Sequence, residues 1–152
     1  MEKSIDYYRN CQFVIRIATD EIKDIDFNIL HIRKAKAAAN SKEVKASAEE
    51  AIKRIEQVRE KVIRNIDANI KELERFKDIL RSCKEGQCKQ YIIDYVLNEL
   101  SNTELTDKYL YVDLASVNTL KYRAVKLWNK TIKLYDINNI SAEPLKNKRG
   151  IA

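Results

Sequence analysis

Apolar residues in the first quarter of the chain recur in strict steps of three and four: Tyr8, Cys11, Ile15, Ala18, Ile22, Ile25, Ile29 and Ile32. On a helix this spacing draws one apolar seam about seven turns long. It predicts a helix over 4–39, lying against a partner helix in this chain or another. Phe27 and Leu30 widen the seam near Ile25, which argues for more than one neighbour. A second series, from Val44 through Ile55, Val62, Ile70 and Phe76 to Leu80, predicts a helix over 42–82. Between them, Asn40 and Glu43 have capping-box spacing, and Ser41 is an alternative cap. No Gly or Pro enforces the stop, so a continuous rod competes with a hairpin. The hairpin is favoured, because a lone rod leaves the isoleucine seam in water.

Gly86 ends the second helix or opens the turn after it. Tyr91, Ile92, Ile93, Tyr95, Val96, Leu97 and Leu100 predict a shorter helix over 88–100. Ser101 and Glu104 again have capping-box spacing, and a fourth helix is expected over 103–136. Its seam is Val117, Leu120, Ala124, Leu127, Thr131 and Leu134, with Val125, Trp128, Ile132 and Tyr135 beside it. After 136, Asn138, Asn139 and Pro144 predict irregular chain. The expected fold is all-α: an elongated bundle of three long helices and one shorter helix, with a long N-terminal helical hairpin. Residues 1–136 form the bundle domain, and 137–152 an irregular basic C-terminal tail.

Composition supports this reading. Of 152 residues, 45% are hydrophobic, enough for a core, while two Gly and one Pro leave few places to reverse the chain. No apolar run approaches the ~18–20 residues that span a bilayer, so no integral membrane segment is expected. No signal-peptide pattern appears, and the expected address is cytoplasmic. Charge adds an asymmetry. Residues 121–152 hold eight basic and two acidic side chains, so the whole net charge of +6 falls there. Such polarisation points to a polyanion or an acidic partner surface.

Arg123, Lys126, Lys130 and Lys133 repeat in steps of three, four and three, and therefore share one helix face about 15 Å long. Such a strip reaches several phosphates, and Tyr122 at its edge is a stacking candidate. Lys146, Lys148 and Arg149 extend the basic set. A second group, Arg33, Lys34 and Lys36, lies near the expected hairpin tip. The competing reading of both groups is an ordinary solvated surface.

Other chemistry is poorly represented. Cys11 sits on the first seam and reads as a buried thiol, while Cys83 and Cys88 flank a turn and are either bridged or free. His31 is the single histidine, too few for a bundle-type metal site, so no metal or other cofactor is expected. There is no phosphate-cradling glycine loop and no nucleophile elbow. The expectation is a non-enzymatic helical subunit of a nucleoprotein assembly. It would pack on other protein subunits and touch nucleic-acid backbone without sequence specificity, and a homo-oligomer is compatible with it. The alternative is a protein-only coiled-coil adaptor or structural scaffold, including a helical coat-type subunit.

Overall fold

The computed structural model describes residues 3–109 and 114–151, with side chains described for 3–109 and 117–138. The described chain is all-helical and contains no strand. Five helices occur among the described residues: α1 (Ile5–Ala38), α2 (Lys42–Arg81), α3 (Gln87–Val96), α4 (Asn102–Lys108) and α5 (Leu114–Ile151). Three are long and two are short.

The ends of these helices have local causes. Ser4 accepts the Tyr7 N–H at 3.2 Å and so caps α1. At α2 the cap is Ser41 and not Asn40: its hydroxyl accepts the Glu43 N–H at 3.2 Å and the Val44 N–H at 3.5 Å. Gly86 precedes α3 at φ 153°, backbone that a side chain rarely adopts. Ser101 and Glu104 form the full reciprocal capping box of α4.

Three expectations require correction. The third helix stops at Val96 and not at 100. Glu99 takes a left-handed φ of 49°, and the Leu100 N–H folds back onto the Asp94 carbonyl at 3.1 Å. The single fourth helix is two: α4 ends at Lys108, and Tyr109 leaves the helical region at φ −106°, ψ 25°. Tyr109 is buried, with its hydroxyl on Asp94, and the residues after it (Leu110, Tyr111, Val112, Asp113) include three weak helix formers. Finally, the backbone after 136 is helical as far as Ile151. Asn138 and Asn139 cost only tenths of a kcal/mol each, whereas Pro144 removes one N–H and costs about 3 kcal/mol inside a helix.

Contacts divide the chain into two compact units, to each of which α1 and α2 contribute. One unit joins Met1–Gln12 to Glu72–Ala152. Its core centres on Trp128, with no exposed surface, among Phe76 at 5.0 Å and Tyr8 at 5.7 Å between ring centroids. The Trp128 indole N–H donates to the Lys3 carbonyl at 2.9 Å, so even its polar edge is satisfied. Ile79, Ile92, Leu105 and Ile132 complete the interior. Here α3 lies along α5, and α4 touches both.

The second unit, Phe13–Lys71, holds the remainder of α1 and α2. Ala18, Ile25 and Ile29 of the α1 seam are buried, and Ile15, Ile22 and Ile32 are half-buried. Ion pairs join Asp26 to Arg59 (2.8 Å), Arg33 to Glu56 (3.6 Å) and Lys36 to Glu49 (2.5 Å). As α1 advances, α2 is therefore met in reverse order. The widening residues Phe27 and Leu30 are exposed, at 64% and 51%.

Candidate nucleic-acid interface

The rotation of α5 about its own axis is set by its core residues. Leu120, Ala124, Trp128, Thr131 and Ile132 are buried in steps of three and four. Trp128 is gripped by Phe76, Tyr8 and the Lys3 carbonyl. The opposite side of the helix must then face outward. On it stand Arg123, Lys126, Lys130 and Lys133, all exposed. The first and last are ten residues apart, about 15 Å along the axis.

Among the described residues none of these four cations has an ion pair. The one acid between 121 and 138 is Asp136, and Arg75 of α2 holds it at 2.7 Å. That pair removes the only nearby carboxylate that α5 itself could supply. The face therefore carries four like charges held apart by helix geometry, a positive potential that ions or an anionic ligand would relieve.

Tyr122 is 61% exposed at the edge of the strip. The Lys126 ammonium lies 4.8 Å from its ring centroid, so lysine and tyrosine already form a cation–π pair. Asn129, also exposed, lies on the same edge. Arg123 in addition lines a cavity of about 340 Å³ with Lys84, Gly86 and Cys88.

Other cations are used structurally. Arg9 donates to the carbonyls of Tyr95 (2.8 Å) and Leu100 (2.7 Å), satisfying the open end of α3, and its guanidinium stands 4.4 Å over the Tyr95 ring. The Tyr95 hydroxyl donates to Asp6. Burial and the Asp6 carboxylate push the Tyr95 phenol up to about 12. Lys121 lies 5.8 Å from the same ring, away from the exposed strip.

The group near the α1–α2 connection fares differently. Arg33 and Lys36 are the two residues paired with Glu56 and Glu49, and Lys36 holds the Glu49 carboxyl below its usual range. Lys34 is exposed with no ion pair among the described residues. Two of these three cations are thus already answered by the chain's own carboxylates. The side chains of Lys146, Lys148 and Arg149 lie outside the described residues.

Sequence reasoning passed over Asp94. Its side chain has no exposed surface, yet its carboxylate accepts from Lys108 Nζ (2.7 Å), the Tyr109 hydroxyl (2.8 Å) and Asn98 Nδ2 (2.9 Å). Burial raises the carboxyl, but the three donors outweigh burial and hold it below its usual value. The available signal was an acid inside the apolar run Tyr91–Leu97. Every donor belongs to α3, α4 or the segments flanking them, so the network joins these elements.

The thiols carry no visible chemistry. All three are free; Cys11 and Cys83 are buried, and burial raises both. Cys83 donates to the Thr131 hydroxyl at 3.5 Å and is not bridged to Cys88. His31 stacks on Phe27 at 5.8 Å. No group of His, Cys, Asp and Glu among the described residues is placed to hold a metal, and no helix among them is long and apolar enough to cross a membrane. No protein-family model, curated protein or solved structure matches the chain.

Proposed function

We propose that this protein is a non-enzymatic helical subunit of a nucleoprotein assembly that grips nucleic-acid backbone through the outer face of α5. One observation carries the reading: Arg123, Lys126, Lys130 and Lys133 stand exposed on one face, with no ion pair among the described residues. Lysine-rich faces neutralise phosphates and do not read base edges, so contact is sequence-independent. The same reading takes α1 and α2 as a long hairpin offering surface to protein neighbours, and places the protein in the cytoplasm.

The test replaces all four cations by Gln and measures binding of fluorescent single-stranded RNA and duplex DNA by anisotropy at several salt concentrations. Each phosphate contact contributes a slope of about 0.7–0.9 in log affinity against log salt, so four lost contacts flatten the dependence by about 3. Affinity falls severalfold while circular dichroism is unchanged. Equal affinity and slope in the variant would remove α5 as the contact face.

A protein-only scaffold is the second reading, favoured by the half-exposed apolar residues of the Phe13–Lys71 unit. It is distinguished by the wild-type protein failing to bind either nucleic acid without its partners.

A further inference from the structure

The exposed side of α5 divides into three rows along the helix axis. Residues seven apart on a helix project within about 20° of each other. Arg123 and Lys130 therefore form one row, Lys126 and Lys133 the next, and Tyr122 and Asn129 the third, with the Lys126 row in the middle. Tyr122 has no part in the core. Six other tyrosines have described side chains, and none is more than 37% exposed. Tyr8 and Tyr91 are buried, Tyr95 and Tyr109 donate to Asp6 and Asp94, Tyr7 stands edge-on to Tyr8, and Arg75 lies over Tyr135. Tyr122 is 61% exposed, and its hydroxyl has no hydrogen-bond partner among the described residues. The one cation or aromatic ring near it among them is the Lys126 ammonium, 4.8 Å from its centroid.

We infer that the nucleic acid held by α5 is single-stranded and that Tyr122 stacks on one of its unpaired bases; this rests on the backbone-gripping reading of the same face. Cations at the centre of the exposed arc take the phosphates, which sends the bases to one edge. The Arg123 edge is cationic as well, so the bases fall on the Tyr122 edge. There a ring that already draws a cation to its π-face offers the surface on which a base lies. An unpaired base presents its face freely. In a duplex each base is covered by its neighbours, and Tyr122 reaches one only after it has been unstacked. Charge alone gives the opposite preference. Each phosphate contact contributes a salt slope of about 0.9 on a duplex and about 0.7 on a single strand, because the duplex holds its counterions more densely. A lysine face without the ring therefore favours the duplex, and the exposed tyrosine is the feature that reverses the order.

Fluorescence anisotropy of the full chain, at several salt concentrations, compares oligouridylate, oligodeoxyuridylate and a duplex of equal length. The two single strands differ only in the 2′-hydroxyl and so separate RNA from DNA as the source of the strand. Single strands bind more tightly than the duplex. Tyr122→Ala, at an exposed position, keeps the circular dichroism of the wild type and weakens single-strand binding about five- to a hundredfold, the factor expected for one stacked base. Tyr122→Phe keeps the ring and the affinity. In Tyr122→Ala the duplex affinity stays within about twofold and the single-strand salt slope is unchanged, because no phosphate contact is removed. A wild type that favours the duplex, or a Tyr122→Ala variant with unchanged single-strand affinity, overturns the inference and leaves the backbone grip of α5 standing. An equal loss on strand and duplex overturns it as well, since the ring then acts by positioning Lys126. Binding of none of the three probes overturns both readings.

Discussion

Replacing Asp94 by alanine removes the acceptor on which α3, α4 and Tyr109 converge. The loss can be worked out group by group. Tyr109 is 5% exposed, so losing the Asp94 acceptor of its hydroxyl inside the core costs about 1–3 kcal/mol. Asn98 is exposed and Lys108 is 45% exposed, so water replaces part of what they lose. The cavity left by the carboxylate adds to the cost. Together these give about 3 kcal/mol, at the lower end of the 3–5 kcal/mol range for fully buried charge pairs because Lys108 is wet. For a chain of this size that lowers Tm by roughly 6–12 °C. Trp128 is the only tryptophan, fully buried in the same unit, so its fluorescence in urea reports the unfolding directly. Asp94→Asn keeps the shape and loses less. The pH dependence carries a sign. Asp94 has a folded pKa below its unfolded value near 3.9, so its ionised form stabilises the fold above that value. The contribution is lost as pH falls through the lower folded value. The gap between wild type and Asp94→Asn stays level from pH 7 to about 5 and narrows below about 4. An alanine variant within about 0.5 kcal/mol of wild type would show that the network does not support the fold.

Two further substitutions probe the local and the packing arguments. Ser101→Ala breaks the capping box, in which Ser101 accepts the Glu104 N–H at 3.1 Å, and costs about 1 kcal/mol in the same urea assay; no change would mean that α4 is held by packing alone. Ile25→Asp puts a charge on the buried seam and costs several kcal/mol, whereas Phe27→Asp, at a position 64% exposed, changes stability by under about 0.5 kcal/mol; equal losses by thermal melting would contradict the assigned seam.

The candidate site was legible to the extent that it is a property of one helix. Arg123, Lys126, Lys130 and Lys133 share a face because of their spacing, and Trp128 and Ile132 share the other. Both statements need only the helix repeat. The fates of Arg33 and Lys36 were not legible, because the carboxylates that meet them come from α2, 23 and 13 residues further along the chain. Asp94 was missed for the same reason: its decisive donors, Lys108 and Tyr109, lie beyond the end of its own helix.

Local periodicity alone determined that this chain is helical, where α1 and α2 run, and which side of α5 is apolar, since those outcomes depend on residues three and four apart. Tertiary structure decided the break at Tyr109 and the division into two units. It also decided which cations are spent on the chain's own carbonyls and carboxylates. These outcomes turn on groups far apart in sequence, and the energy of a buried hydrogen bond or ion pair exists only once both partners have been brought together and water excluded.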